Sequence, residues 1–252
     1  MKLPVELMQG KQKKLRALAD RRGIIAAAAM DQRGSLRKAI AQARGVVEEK
    51  VTTQELGEFK AAVTKALTPH ASAILLDPEW GMEATKQRAK GCGLLLAYEA
   101  SGYDNTQPGR LPSFIPGQTV RKLVEAGADG IKVLLYYTPK ESAQANAYKH
   151  DWIERVGAEC ALHGVPFFLE LVSYDPSGGS TSTPEFAVQK PQLVIESITE
   201  FAKPQYLVDV FKAEIPVNLK FVTGSSLCKG TGVYSKPQAL EAFRQLGKVV
   251  QG

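Results

Sequence analysis

Residues 130–172 decide the fold, because two apolar runs flank one long helical pattern. The first run, residues 130–137, reads GIKVLLYY, and the second, residues 166–172, reads PFFLELV. Between them, residues 142–163 have the apolar spacing of a helix. Continuous apolar runs are typical of parallel strands that are covered on both faces, and a helix is the usual connection between such strands. The stretch therefore predicts a strand–helix–strand unit with parallel strands.

The same alternation extends outward in both directions. Four more apolar runs lie at residues 23–30, 72–76, 93–98 and 206–215. Further helical patterns lie at residues 5–20, 53–67, 119–126, 193–202 and 237–250. Six predicted strands that alternate with helices indicate an α/β protein with a parallel sheet.

A barrel explains this alternation better than a nucleotide-binding fold. No G-x-G-x-x-G follows the first run, and no Walker A sequence occurs. Loops at 102–117 and 174–191 are rich in Gly, Pro, Ser and Thr and follow strands three and five, on the side where barrel active sites form. We predict a (β/α)8 TIM-barrel type with only six β/α units evident, in one incomplete domain over residues 1–252. An N-terminal helix within residues 1–22 is predicted to pack on the barrel.

Composition excludes several classes of protein. No run approaches the length of a membrane span, and the short run 24–30, IIAAAAM, is interpreted as a buried strand because it ends on DQRG without a cleavage site. Three scattered cysteines predict a reduced, cytoplasmic protein. The net charge of +6 arises in the first 50 residues, which carry a balance of +7, whereas the remaining residues carry −1. One interpretation is a basic arm that binds nucleic acid or a membrane surface. The basic residues are interrupted by other residues, which favours a solvated helix face instead, so we predict no binding to nucleic acid or to a membrane.

Polar residues interrupt the apolar runs on six successive strands. Strand alternation places Lys212 and Glu214 on one face of the last run, and buried charges of this kind require partners or a function. A structural ion-pair network is one interpretation, and a barrel active site at the carboxyl ends of the strands is the favoured one. The residues concerned are Asp31, Asp77, Glu99, Lys132, Glu170, Lys212 and Glu214.

Two lysines among several carboxylates support one particular chemistry. A lysine held as a neutral amine attacks a carbonyl, and the resulting Schiff base permits carbon–carbon cleavage. Glu170 and Asp31 are candidates for moving protons in that reaction. The three histidines fall on helices or turns rather than strands, so a zinc aldolase is disfavoured, and no G-x-S-x-G of a serine hydrolase occurs.

Six stretches of the chain resemble the class I tagatose 1,6-bisphosphate aldolases, Schiff-base enzymes related to deoxyribose-phosphate aldolase. The resemblance runs from about residue 11 to about residue 245. The stretches are MDQRG at 30–34, ILLDPE at 74–79, LLLAYEASGYD at 94–104, IKVLLYY at 131–137, PFFLE at 166–170 and VFKAEIPVN at 210–218.

The resemblance implies a role for each of these positions. Lys212 would form the Schiff base, Glu170 would act as acid and base, and Asp31 and Lys132 would line the site. Such enzymes cleave a ketohexose 1,6-bisphosphate to dihydroxyacetone phosphate and glyceraldehyde 3-phosphate, without a metal or other cofactor. The substrate-binding positions that we predict are Arg33, which is the candidate for a phosphate contact, and Gln32, Asp77, Glu99 and Glu214.

The sequence departs from the family in one respect. The family continues with strands seven and eight, whose Gly-rich turn and Gly-Arg segment hold a substrate phosphate, and neither occurs here. We expect unpaired edges at strands one and six. A fragment, a frameshifted gene product and a homo-oligomer that completes itself all remain open explanations. A 6-deoxy-6-sulfofructose 1-phosphate aldolase and a catalytically weak binding or regulatory relative remain alternative functions.

Overall fold

A computed structural model describes residues 5–103 and 107–250. Asp104, the last residue of the LLLAYEASGYD stretch, and the ends of the predicted domain lie outside these residues. Short strands alternate with helices along the described chain. The strands are β1 (Ala27–Met30), β2 (Ala73–Leu76), β3 (Gly93–Ala97), β4 (Gly130–Tyr136), β5 (Phe167–Val172) and β6 (Val210–Lys212). The α-helices are α1 (Val5–Leu18), α2 (Gly34–Arg44), α3 (Thr53–Leu67), α4 (Met82–Thr85), α5 (Val120–Glu125), α6 (Ala143–Leu162), α7 (Pro184–Phe201) and α8 (Lys236–Val250).

The strands follow chain order in one sheet, β1-β2-β3-β4-β5-β6. The pairings β1–β2, β2–β3, β3–β4 and β5–β6 are parallel. This order confirms the predicted α/β fold of barrel type with six strands. It also confirms that β1 and β6 lie at the two ends of the order. In the described part of the chain no further strand pairs with either of them.

The chain divides into two units. Unit one holds residues 5–103, 113–133 and 158–167 of the described chain, and unit two holds residues 107–112, 134–157 and 168–250. The prediction of one domain over residues 1–252 stays a prediction.

In unit one, α1 packs against β3. A Cβ on Gly93 would lie 2.6 Å from the Ala17 carbonyl oxygen and 2.9 Å from the Leu18 Cα, so only glycine allows this close approach. Leu18 is fully buried there, and Lys14 Nζ donates to the Ala128 carbonyl at 2.7 Å. The N-terminal helix therefore packs on the strands of its own unit.

Several boundaries differ from the sequence-based expectations. Helix α7 begins at Pro184, inside the predicted loop 174–191, because the Thr183 side chain accepts a hydrogen bond from the Phe186 amide and caps the helix. Helix α2 had no counterpart in the predictions. Strand β1 was predicted to be buried, which is wrong: its four residues alternate between exposed and half-buried, because β1 ends the strand order.

Candidate active site

Lys132 is the centre of a charge cluster at the carboxyl ends of the first strands of unit one. Its ammonium donates to Asp31 Oδ2 at 2.8 Å and to Glu99 Oε1 at 3.2 Å. Only 2% of the Lys132 side chain is exposed, against 13% for Asp31. Because Lys132 lies next to Ala97 in the β3–β4 register, the strand ends themselves bring these groups together. The predicted pairing of this lysine with carboxylates is thus present.

Arg33 extends the cluster from the start of α2. Its Nη1 donates to Glu79 Oε2 at 2.6 Å, and its Nη2 donates to the Glu99 carbonyl oxygen at 2.9 Å. Arg33 is 6% exposed, so its guanidinium is buried among carboxylates. The structure therefore places Arg33 in an ion pair. Gln32, the residue before it, is exposed.

The Glu99 carboxyl is the most perturbed member of the cluster. Burial raises its pKa above the usual range, and the nearby charges of Lys132 and Arg33 do not fully offset that effect. A carboxyl whose pKa is raised holds a proton more readily, which is the property that a proton donor needs. Glu99 is thus suited to proton transfer as well as to ion pairing.

Lys60, on α3, fixes the turn that presents Asp31. Its ammonium donates to the Met30 carbonyl at 2.6 Å and to the Gln32 carbonyl at 2.7 Å, and it lies 2.6 Å from Asp77 Oδ2. Both side chains of the Lys60–Asp77 pair are 0% exposed. Asp77 also accepts from the Glu79 and Trp80 amides through its other oxygen. Asp77, predicted to bind substrate, therefore serves to hold the loops that follow β1 and β2.

In unit two, Lys212 and Glu170 form a pair across neighbouring strands. The two residues are register partners on β6 and β5, and Lys212 Nζ lies 2.6 Å from Glu170 Oε1. The expectation that Lys212 is buried is wrong, because 48% of its side chain is exposed, against 17% for Glu170. Its strand, β6, ends the order of the sheet and is not covered on its outer edge by another described strand.

Glu214 lies two residues beyond β6. Its Oε1 lies 2.9 Å from Lys190 Nζ on α7, and its Oε2 accepts from the Ser173 amide at 3.0 Å. Glu214 therefore ties the end of β6 to the end of β5 and to α7. This bracing keeps Lys212 and Glu170 beside each other.

A cleft of about 350 Å³ opens in unit two, where the chain leaves β4 and β5 and enters α7. Hydroxyl, carboxylate and amide groups dominate its lining. The lining residues are Thr138, Lys140, Tyr174, Asp175, Pro176, Ser177, Thr183, Glu185, Phe186, Gln189 and Leu193. Such a lining suits a polar small molecule better than an apolar one.

The predicted site residues fall into two groups. One group is a cluster in unit one, formed by Asp31, Arg33, Glu99 and Lys132. The other is the pair of Glu170 and Lys212 in unit two. Sequence reasoning missed Lys60 and Lys190, which belong to helices and so carry no strand alternation. Within residues 5–103 and 107–250, no group of three or more His, Cys, Asp or Glu is placed to hold a metal ion. No helix in the same residues is long and apolar enough to cross a membrane.

The fold and the lysine–carboxylate pairs indicate a class of enzyme, and comparison with known proteins agrees with it. A parallel β/α fold whose strands carry lysine–carboxylate pairs is the arrangement expected of a lysine-dependent aldolase. Residues 25–251 match the family described as DeoC/LacD family aldolase. The chain belongs to this family.

Relatives at substantial identity cover nearly the whole chain. Tagatose 1,6-diphosphate aldolase 1 of Enterococcus faecalis is 45% identical over 247 residues, which are 98% of this chain and 73% of the relative. A second aldolase of that organism, tagatose 1,6-diphosphate aldolase 2, is 47% identical over 94% of this chain and 70% of its own length. Tagatose 1,6-diphosphate aldolase of Listeria monocytogenes is 44% identical over 96% of this chain and 70% of its own length.

Solved structures support the fold. Fructose-bisphosphate aldolase from Slackia heliotrinireducens matches with a TM-score of 0.60 at 11% identity, over 99% of this chain and 70% of that chain. An archaeal fructose 1,6-bisphosphate aldolase matches with a TM-score of 0.53 at 12% identity, over 94% of this chain and 86% of that chain. At these identities the likeness concerns the fold alone.

Proposed function

We propose that the protein is a class I aldolase that cleaves tagatose 1,6-bisphosphate to dihydroxyacetone phosphate and glyceraldehyde 3-phosphate. Family membership and the names of relatives at 44–47% identity support this substrate. The resemblance of the sequence to Schiff-base aldolases supports the covalent mechanism. Cytoplasmic location, homo-oligomer formation and independence from cofactors are part of the same proposal.

The observation that carries the proposal is the contact of Lys212 Nζ with Glu170 Oε1 at 2.6 Å. A nucleophile needs a base within hydrogen-bond reach to take its proton, and this distance provides one. The half-exposed side chain of Lys212 allows a carbonyl carbon to approach. The neutral amine then adds to the C2 carbonyl of the ketose and gives a carbinolamine.

In the proposed mechanism Glu170 returns that proton. It protonates the carbinolamine hydroxyl, water leaves, and a protonated imine forms between Lys212 and C2. When a base removes the proton of the C4 hydroxyl, the C3–C4 electron pair flows to the imine nitrogen and glyceraldehyde 3-phosphate departs. Protonation of the enamine at C3 and hydrolysis of the imine then release dihydroxyacetone phosphate and restore the lysine.

The residues of the other cluster have supporting roles in the proposal. The resemblance implies that Asp31 and Lys132 line the site, and their contact at 2.8 Å supports their acting together. Glu99 supports Lys132, whose ammonium it contacts at 3.2 Å. Arg33 is a positioning residue for Glu99, with which it makes a buried contact. Gln32 is a candidate for contact with the substrate. Asp77 and Glu214 are positioning residues as well.

Turnover of tagatose 1,6-bisphosphate, followed by coupled reduction of the triose products, tests the proposal. Lys212→Met is expected to lower kcat by on the order of 10³-fold or more, and Glu170→Gln by roughly 10²–10⁴-fold. Lys203→Met is the matched control, because Lys203 is 50% exposed and lies 2.5 Å from Glu200 in a similar pair. It is expected to leave kcat within about twofold.

Four outcomes contradict the proposal or a part of it. Equal activity of Lys212→Met and Lys203→Met rules out the lysine mechanism. Faster cleavage of 6-deoxy-6-sulfofructose 1-phosphate assigns the other substrate. Binding of sugar phosphates without turnover assigns a binding or regulatory role. Loss of activity with a chelator contradicts independence from metal.

A further inference from the structure

Lys190, on α7, is a largely buried lysine whose ammonium is paired. Its Nζ lies 2.9 Å from Glu214 Oε1, and 15% of the Lys190 side chain is exposed, against 25% for Glu214. A lysine on a helix normally extends its charge into solvent, so burying one costs free energy unless a carboxylate compensates it. The pair therefore differs from an exposed surface ion pair, because each charge depends on the other.

The backbone position of Lys190 is unfavourable for a helix. Pro191 follows it inside α7. A proline removes one hydrogen bond of the helix and disfavours the helical conformation of the residue before it. Departures from local sequence rules concentrate at functional sites. The position of Lys190 therefore agrees better with a role in the site than with a role in helix stability.

Glu214 lies close to Lys212 along the chain. The two residues are two positions apart, so their Cα atoms are separated by no more than about 7 Å. Glu214 Oε2 accepts from the Ser173 amide at 3.0 Å, and Ser173 directly follows β5, the strand of Glu170. Both carboxylates therefore lie near the carboxyl ends of β5 and β6. The flexible four-carbon side chain of Lys212 is long enough to contact either of them, and it contacts Glu170 at 2.6 Å.

The charge of Lys190 bears on how firmly Lys212 holds its proton. An amine must be neutral to attack a carbonyl, and each carboxylate beside an ammonium favours the charged form. With Lys190 present, two lysines balance two carboxylates, and Glu214 is compensated by its own partner. Without Lys190, the uncompensated carboxylate of Glu214 would draw the Lys212 ammonium away from Glu170.

We propose that Lys190 is a positioning residue, which engages the Glu214 carboxylate and so leaves Glu170 as the base of Lys212 and keeps the amine available for attack. This inference rests on the proposed function and adds to it a helix residue that acts through Glu214. Because it concerns the Lys212 amine itself, it can be tested without turnover as well as with it.

Trace labelling with acetic anhydride at mildly alkaline pH tests the state of the amine, because only a neutral amine is acetylated. Mass spectrometry gives the labelling rate of Lys212 relative to that of Lys86, a lysine of unit one that is 68% exposed. Lys190→Met is expected to lower this ratio about 3- to 10-fold, from the attraction of two unit charges about 7 Å apart near the surface. Lys190→Arg keeps the charge and is expected to stay within about twofold of the parent.

A double variant separates this role from a purely structural one. Lys190→Met combined with Glu214→Gln removes the carboxylate together with its partner, while the glutamine oxygen can still accept from the Ser173 amide. The double variant is expected to label Lys212 within about twofold of the parent, and so faster than Lys190→Met alone. If Lys190 served only to hold α7 in place, the second substitution would add to the loss instead.

The same variants are expected to rank alike in kcat/KM for tagatose 1,6-bisphosphate. Lys190→Met should lower this constant about 3- to 10-fold, and the double variant and Lys190→Arg should restore it. Lys203→Met removes a half-exposed lysine that pairs with Glu200 in the same unit, and it is the control. It is expected to stay within about twofold of the parent in both measurements.

Unchanged labelling of Lys212 in Lys190→Met, or a double variant that labels no faster than Lys190→Met, overturns the proposal. Glu214→Gln alone keeps Lys190 in place and gives a second measure should Lys190→Met fail to fold. It is expected to label Lys212 at least as fast as the parent does, and slower labelling also overturns the proposal. Failure of the proposed function gives a different result, in which the parent shows no turnover while the expected order of labelling rates is kept.

Discussion

Lys60→Met is expected to be the most damaging single substitution in the charge clusters. The variant leaves Asp77 as a fully buried carboxylate without its ammonium partner, and it leaves the Met30 and Gln32 carbonyls without their donor. Removing one partner of a buried pair costs about 3–5 kcal/mol, and a buried carbonyl left without a donor adds to that loss. We expect the free energy of unfolding to fall by about 4 kcal/mol.

Urea unfolding followed by far-UV circular dichroism at pH 7 measures this loss. Lys86→Met is the control, because Lys86 forms an ion pair of 2.7 Å with Glu83 at a position where both side chains are more than two-thirds exposed. Its effect is expected to stay within about 0.5 kcal/mol.

A double-mutant cycle with Asp77→Asn tests the cause. The double variant is expected to lose about 2 kcal/mol less than the sum of the two single variants, because neither charge is then left alone in the core. A loss below about 1 kcal/mol for Lys60→Met, or strict additivity with Asp77→Asn, would falsify the assignment of Lys60 as the group that holds the turn around Asp31.

Two further predictions concern unit two. Burial lowers the pKa of Lys149 from 10.5 to about 8, so the unfolded chain binds more protons than the folded chain between these pH values. The free energy of unfolding of the native protein is therefore expected to rise by about 2 kcal/mol between pH 8 and 9.5, relative to that of Lys149→Met. Urea unfolding at several pH values measures this rise, and the same pH dependence in both proteins would contradict the prediction. Gly157→Ala places a Cβ 2.0 Å from the Tyr206 carbonyl oxygen and is expected to lower the free energy of unfolding by about 1–2 kcal/mol. Gly247→Ala is the control, because a Cβ added at Gly247 meets no atom within 4 Å. It is expected to raise the free energy of unfolding by about 0.5–1 kcal/mol, since alanine favours a helix more than glycine does. Equal thermal midpoints for the two alanine variants argue against the close α6 contact.

The sequence was sufficient for the strand order and for the pairing of strand residues. Alternation along apolar runs placed Lys132 among carboxylates and Glu170 beside Lys212, because parallel strands bring equivalent positions together. It was not sufficient for burial. Lys212 and β1 were expected inside the sheet, and each is exposed because its strand ends the order.

Residues outside strands were predicted less well. Lys60 occurs in a helix, where a charged residue is usually solvated, and only the tertiary fold shows that its ammonium reaches two carbonyls. The start of α7 did have a signal, Thr183 followed by proline and glutamate, which is a typical helix start.

The central claim is that Lys212 forms a covalent imine with a ketose phosphate. Incubation with dihydroxyacetone phosphate, reduction with borohydride and peptide mapping by mass spectrometry test it directly. The account predicts one reduced adduct, on Lys212, whose yield falls in Glu170→Gln and is unchanged in Lys203→Met. An unmodified Lys212, or an adduct on another lysine such as Lys132, contradicts the account.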